Sequence, residues 1–259
     1  MTKLNVLMVQ PTLRWQEPAE NRQRLETQVE AALAGASADL VVLPETFTTG
    51  FLGDGDCPAE PMDGDTVAWM KQMARRHDAA IAGSVVISEG GNRFNRFLFV
   101  PPEGDVAHYD KRHLFSYGGE NNRYTPGQDR VVFDFRGWRI CPQVCYDLRF
   151  PVWCRNRGDY DLLLFVANWP EVRAAAWSAL LPARAIENQA CVIGINRVGQ
   201  DGKGISYLGQ SAAYGPLGES LAHLGGEVTS AIVELDLEAL NELRARLPFL
   251  DDADQFDIR

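Results

Sequence analysis

Short runs of apolar residues, each closed by a turn, recur at residues 4–10, 38–43, 79–87, 94–100, 138–145, 162–168 and 191–196. Runs this short and this apolar predict strands that are buried rather than washed by water on one face. Segments with helical spacing lie between several of them. Residues 21–34 place Leu25, Val29 and Leu33 on one face, and residues 65–76 do the same with Val67, Met70 and Met73. Residues 172–188 also read as a helix despite Pro182, and 237–246 as a last helix before an acidic tail. Further strands are expected at 106–109, 131–135, 209–214, 220–223 and 230–235, with a tight turn at Arg136-Gly137. Some strands alternate with helices and others follow one another directly. That mixture predicts a layered α/β fold with mixed sheets, two of them packed together beneath outer helices.

Composition limits the classes of function. The chain has 259 residues, 46% hydrophobic and 23% charged, with no low-complexity stretch or dividing linker. It reads as one domain over residues 1–259, in which 237–259 forms a helix and tail. A formal net charge of −10 argues against a nucleic-acid partner, which favours a basic face. An anionic substrate stays possible, because Lys111-Arg112-His113 and Arg149 are local sources of positive charge. The first apolar run stops at Pro11, too short for a signal-peptide core or a membrane span. Five cysteines, an odd number without a regular framework, point to reduced thiols and a cytoplasmic location.

Three of the apolar runs lead into residues that can do chemistry. Cys145 closes the run at 138–145, and a strand end holds a nucleophile rigidly while exposing its side chain. Its thiol needs a lowered pKa or a nearby base. Glu45 follows Asp39-Leu-Val-Val-Leu-Pro and is a candidate proton acceptor and donor. Lys111 follows the expected strand at 106–109. Taken singly, each has an ordinary explanation: a buried structural thiol, a turn cap, a solvated lysine. Their common placement at strand ends favours a shared site.

Other chemistries have less support. His113 is the best histidine candidate for the thiol's base. No histidine stands in a metal-ligand spacing, and Cys141, Cys145 and Cys154 form no CxxC pair, so no metal is expected. There is no phosphate-binding glycine loop and no GxSxG elbow, and Ser211 reads as structural.

These segments resemble the nitrilase (carbon–nitrogen hydrolase) superfamily, most closely its omega-amidase branch. The resemblance is carried by Leu-Pro-Glu45-Thr-Phe-Thr-Thr-Gly-Phe51, Tyr-Asp-Lys111-Arg-His-Leu-Phe115 and Val-Cys145-Tyr-Asp-Leu-Arg-Phe-Pro151. Ala167-Asn-Trp-Pro170, Ala183-Arg-Ala-Ile-Glu-Asn188 and Asn196-Arg-Val-Gly199 support it, in family order over almost the whole chain. It implies a four-layer α-β-β-α sandwich that associates as a homodimer or larger homo-oligomer through outer helices. It also implies a catalytic triad of Glu45, Lys111 and Cys145, with no metal or organic cofactor. Glu120, in Ser116-Tyr-Gly-Gly-Glu-Asn-Asn122, best matches a second glutamate of the family, although its loop departs from a tight motif.

The branch implies hydrolysis of the terminal amide of 2-oxoglutaramate or 2-oxosuccinamate. Lys111 and the Tyr146 backbone N–H would then meet the developing oxyanion. Arg149 is a candidate for the substrate carboxylate or, equally, an anchor for its turn. Phe47, Phe51, Tyr146 and Trp169 are candidates for either pocket wall or core. The competing readings are another small-amide or nitrile hydrolase on the same scaffold, and a catalytically silent binding protein.

Overall fold

A computed structural model describes residues 2–258. The chain runs β1 (Lys3–Gln10), α1 (Pro18–Ala32), β2 (Leu40–Val42), α2 (Asp65–His77), β3 (Ala80–Glu89), β4 (Asn92–Val100) and β5 (Ala107–Asp110). It continues with β6 (Phe133–Phe135), β7 (Trp138–Val144), α3 (Pro151–Cys154), β8 (Leu162–Val166), α4 (Ala174–Asn188) and β9 (Cys191–Ile195). Strands β10 (Val198–Gln200), β11 (Ser206–Leu208), β12 (Ala212–Tyr214), β13 (Ser220–His223) and β14 (Thr229–Asp236) follow, and α5 (Leu237–Arg246) is the last α-helix.

Two six-stranded sheets carry the architecture, ordered β14-β1-β2-β3-β4-β5 and β13-β12-β9-β8-β7-β6. Each has a parallel centre, β1-β2-β3 in one and β7-β8-β9 in the other, flanked by antiparallel strands. Alternation along the strands explains the layering. In β1, Leu4, Val6 and Met8 face the second sheet and pack with Ile140, Leu164 and Ile193. Leu7 and Val9 point the other way, beneath Leu25 and Val29 of α1 and Met70 and Met73 of α2. In the second sheet, Leu163, Phe165 and Val192 face outward under Trp177, Leu181 and Ala185 of α4. The result is the expected α-β-β-α sandwich with mixed sheets. Among the described residues no helix is long and apolar enough to cross a membrane.

Several boundaries differ from the sequence expectation, each for a local reason. Helix α4 begins at Ala174 rather than 172, because Glu171–Arg173 forms a tighter 3-10 turn after Pro170. Pro182 is accommodated inside α4, which continues to Asn188. The stretch expected to form one strand at 209–214 is paired only from Ala212. The β10–β11 hairpin was not foreseen; its strands have three residues each, too few to show a period.

Close packing fixes how the layers meet. A Cβ at Gly194 would lie 2.7 Å from Leu181 and 2.8 Å from Trp177, so α4 sits directly on β9. A Cβ at Gly83 would lie 2.9 Å from the Phe47 ring and 3.0 Å from Leu43. Phe47 is wholly buried there, with its ring 6.0 Å from that of Trp69. It is a core residue behind the segment carrying Glu45. Gly83→Ala is therefore expected to destabilise the protein by about 1–3 kcal/mol through overpacking. The urea midpoint checks this, and an unchanged midpoint would contradict the packing described.

Candidate active site

The site lies where strand ends of the two sheets meet. Glu45 comes three residues after β2, Lys111 directly after β5, and Cys145 directly after β7. The turns that follow β2 and β7 are both sharp. Thr46 has φ +40° and Cys145 φ +48°, left-handed values that cost a non-glycine residue energy. The first kink is held by Thr46 N–H donating to Ser84 Oγ at 2.8 Å and by Asn168 Nδ2 donating to Thr46 Oγ1 at 3.1 Å. The second is held by Val144 N–H donating to Asp147 Oδ2 at 3.0 Å, at the start of a 3-10 turn spanning Cys145–Arg149. Each kink aims a side chain out of its strand into the space between neighbouring loops.

Lys111 lies between two fully buried carboxylates. Its Nζ donates to Glu45 Oε1 at 2.9 Å and to Glu120 Oε1 and Oε2 at 3.1 and 2.9 Å. Asn95 bridges the same acids, its Nδ2 donating to Glu45 Oε1 at 2.8 Å and Glu120 Oε1 at 3.1 Å. Phe115 N–H donates to Glu120 Oε2, and Asn168 N–H to Glu45 Oε2 at 2.8 Å. Burial alone would lower the Lys111 pKa, but the negative charges of Glu120 and Glu45 outweigh it and hold the ammonium firmly charged. Glu120 is shifted upward, first by burial and also by Glu45, against the pull of Lys111.

The Cys145 thiol is pushed well above its ordinary pKa. Burial is the largest cause and the charge of Glu45 comes next; Lys111 opposes them. Near neutral pH the sulfur is therefore held as a neutral thiol beside a carboxylate. A neutral thiol with a proton acceptor close by is chemically able to pass its proton during attack without being stored as a thiolate.

Asp147 joins the cysteine turn to the lysine loop. It is fully buried and accepts from Tyr109 Oη at 2.9 Å, His113 N–H at 2.9 Å and Val144 N–H, and pairs with His113 Nδ1 at 2.7 Å. Tyr109 in turn accepts from Trp153 Nε1 and Arg112 N–H. His113 is committed here, stacked on Phe150 with ring centroids 3.7 Å apart. That places it with Asp147, whereas the carboxylate whose charge bears on the thiol is Glu45.

A pocket of about 500 Å³ opens above Lys111 and Cys145. Phe51, Tyr146, Trp169 and Arg149 line it, as considered from the sequence, whereas Phe47 does not. Arg149 lies over the Trp169 ring at 5.0 Å. Four residues of the site escaped sequence reasoning: Asn95, Asn168, Asp147 and the pocket-lining Arg173. A polar Asn95 amid the apolar 94–100 run was the one local signal. Among the described residues, no three His, Cys, Asp or Glu side chains cluster in a metal-binding arrangement.

Comparison with known proteins adds an independent line. A family model described as carbon-nitrogen hydrolase matches residues 5–245. The chain is 46% identical to the omega-amidase YafV of Escherichia coli K12, with 99% of each chain covered. It is 32% identical to a 2-oxoglutaramate amidase of Bacillus subtilis over 96% of this chain and 97% of that one. A CN-hydrolase superfamily protein of Xanthomonas campestris, XC1258, solved with an arsenic adduct in its active site, superposes with a TM-score of 0.96. It shares 46% identity, and all of both chains are covered.

The electrostatics of the thiol can be tested by titration. Glu45→Gln removes a negative neighbour that raises the Cys145 pKa, so the thiol should ionise at lower pH in the variant. Thiolate absorbance, taken as the difference between each protein and its Cys145→Ala counterpart, measures this. A midpoint that stays put or moves upward would refute the assignment.

Proposed function

This chain belongs to the carbon–nitrogen hydrolase family, and from that premise we propose that it hydrolyses the terminal amide of a small omega-amido 2-oxo acid. The substrate is 2-oxoglutaramate or 2-oxosuccinamate, and the products are the 2-oxo dicarboxylate and ammonia. The observation that carries the reading is Cys145 and Lys111 lining one pocket of about 500 Å³, with Lys111 Nζ donating to the buried Glu45 Oε1 at 2.9 Å. The whole chain acts as one domain.

Cys145 attacks the amide carbonyl carbon as its proton passes to Glu45, forming the C–S bond. Negative charge collects on the carbonyl oxygen, where Lys111 Nζ and the N–H of Tyr146 receive it. Tyr146 lies in the first turn of the 3-10 segment, where a backbone N–H has no partner within the helix. Removing one such donor has cost about 3–4 kcal/mol of transition-state stabilisation in other enzymes. Collapse breaks the C–N bond, and Glu45 returns its proton to the departing nitrogen, which leaves as ammonia. Water then attacks the thioester while Glu45 takes its proton, and the acid departs as Cys145 regains its hydrogen. Glu120 holds Lys111 and orients the substrate amide.

The same scaffold supports amide and nitrile chemistry, since both use the thiol and the lysine. The identities to the amidases favour amides. Exposed Val152, Ile186 and Leu217, on and beside α3 and α4, support self-association through the outer helices. Five free cysteines support a reducing compartment such as the cytoplasm.

Cys145→Ala should lower ammonia release from 2-oxoglutaramate by roughly 10⁴-fold or more, as loss of a nucleophile does elsewhere. Undiminished release would remove Cys145 from the mechanism. Parallel assays of amides and nitriles of matched length should show turnover of the amides, and a nitrile preference would reassign the reaction.

A further inference from the structure

The pocket's charge is opposite to that of the protein. In a chain of net charge −10, the pocket is lined by four cationic side chains, Lys111, Arg149, Arg173 and Lys203, and one acid, Glu171. Lys111 is engaged by its two glutamates. Lys203 Nζ donates to Leu52 O at 2.8 Å and lies 3.5 Å from Asp54, so it is spent on closing the hairpin against that loop. Arg149 and Arg173 differ. Among the described residues neither guanidinium has a carboxylate within salt-bridge distance, and neither donates a hydrogen bond to the protein.

Both guanidiniums are nevertheless held in position. Arg149 lies over Trp169 at 5.0 Å and Arg173 over Phe115 at 5.0 Å. A guanidinium seated on an aromatic face keeps its N–H edge free, and that edge matches the two oxygens of a carboxylate. Phe115 is tied to the reacting centre. Its ring meets that of Tyr146, the residue after Cys145, at 5.1 Å, and its N–H is bonded to Glu120. Arg173 itself sits in the 3-10 turn before α4, and its backbone oxygen accepts from Trp169 Nε1 at 2.7 Å. Trp169 thus supports one arginine by its ring and the other by its N–H.

We infer that Arg173 is a specificity-determining residue: with Arg149 it forms a carboxylate seat that admits small amides bearing an acid at the end remote from the amide. This rests on the amidase reading and deepens it by naming the feature of the substrate that is recognised. The seat binds in ground and transition states alike, so its loss acts on KM more than on kcat.

The test compares 2-oxoglutaramate with pentanamide, which has the same chain length but no carboxylate, in wild type, Arg173→Gln and Arg173→Lys. In Arg173→Gln, KM for 2-oxoglutaramate should rise roughly 10–100-fold, the loss expected for a charge-assisted pair, with kcat little changed. Arg173→Lys, which keeps charge but loses the fork, should fall between. Pentanamide kinetics should change far less than those of 2-oxoglutaramate, and matching circular dichroism spectra and thermal midpoints show that the variants are folded. A wild type preferring the acid, with a variant retaining that preference, would overturn the role of Arg173 and leave the amidase reading standing. A wild type that hydrolyses 2-oxoglutaramate no better than pentanamide would overturn both. Equal losses on the two substrates would make Arg173 structural and overturn the inference.

Discussion

The ion cluster of Lys111, Glu45 and Glu120 is the constraint on which the rest of the site depends. One ammonium and two carboxylates sit out of water, where each isolated charge would cost several kcal/mol. The cluster is tolerable only because nearly every lone pair and proton is matched. Asn95 spans both acids, and backbone N–H groups of Phe115 and Asn168 complete them. Removing one member of such a buried set typically costs about 3–5 kcal/mol, since it strands the charge left behind. The need for matching explains why polar Asn95 interrupts a buried strand, and why Asn168 is turned back onto Glu45 by its backbone and side chain together.

The sandwich supplies the place where such a cluster can be built. Its members come from β4 and from the segments that follow β2 and β5, with Asn168 and Cys145 contributed by the segments after β8 and β7 of the facing sheet. Glu45 and Cys145 follow central parallel strands that are packed on both faces and cannot easily shift. The left-handed backbone at Thr46 and Cys145 stores strain that these anchored strands can hold. Asp147 adds a second tie, so the Cys145 turn and the Lys111 loop are positioned relative to each other through one buried carboxylate.

Charge divides the site into two working halves. At the floor, burial and the charge of Glu45 keep the thiol neutral. At the mouth, aromatic rings hold arginines without neutralising them. An acidic protein can thus offer a local positive pocket, because at physiological ionic strength surface charges more than about 8–10 Å away are largely screened.

Much of this was legible in the sequence. The short apolar runs marked the buried strands, helical spacing identified α1, α2 and α5, and Glu45, Lys111 and Cys145 each stood at a strand end. These features are local: hydrophobic period and turn chemistry depend on near neighbours in the chain. Glu120 could be matched only by resemblance, since its loop has no period of its own. The core position of Phe47, the commitment of His113 to Asp147, and the parts played by Asn95, Asn168 and Arg173 required the tertiary structure. Asn168 and Glu45 are 123 positions apart, and the strand geometry that brings them to 2.8 Å leaves no trace in either segment alone. The sequence by itself determined which elements form and which residues are chemically able. Only the packing of one sheet against the other decided which of those residues share buried space, and so which charges must answer one another.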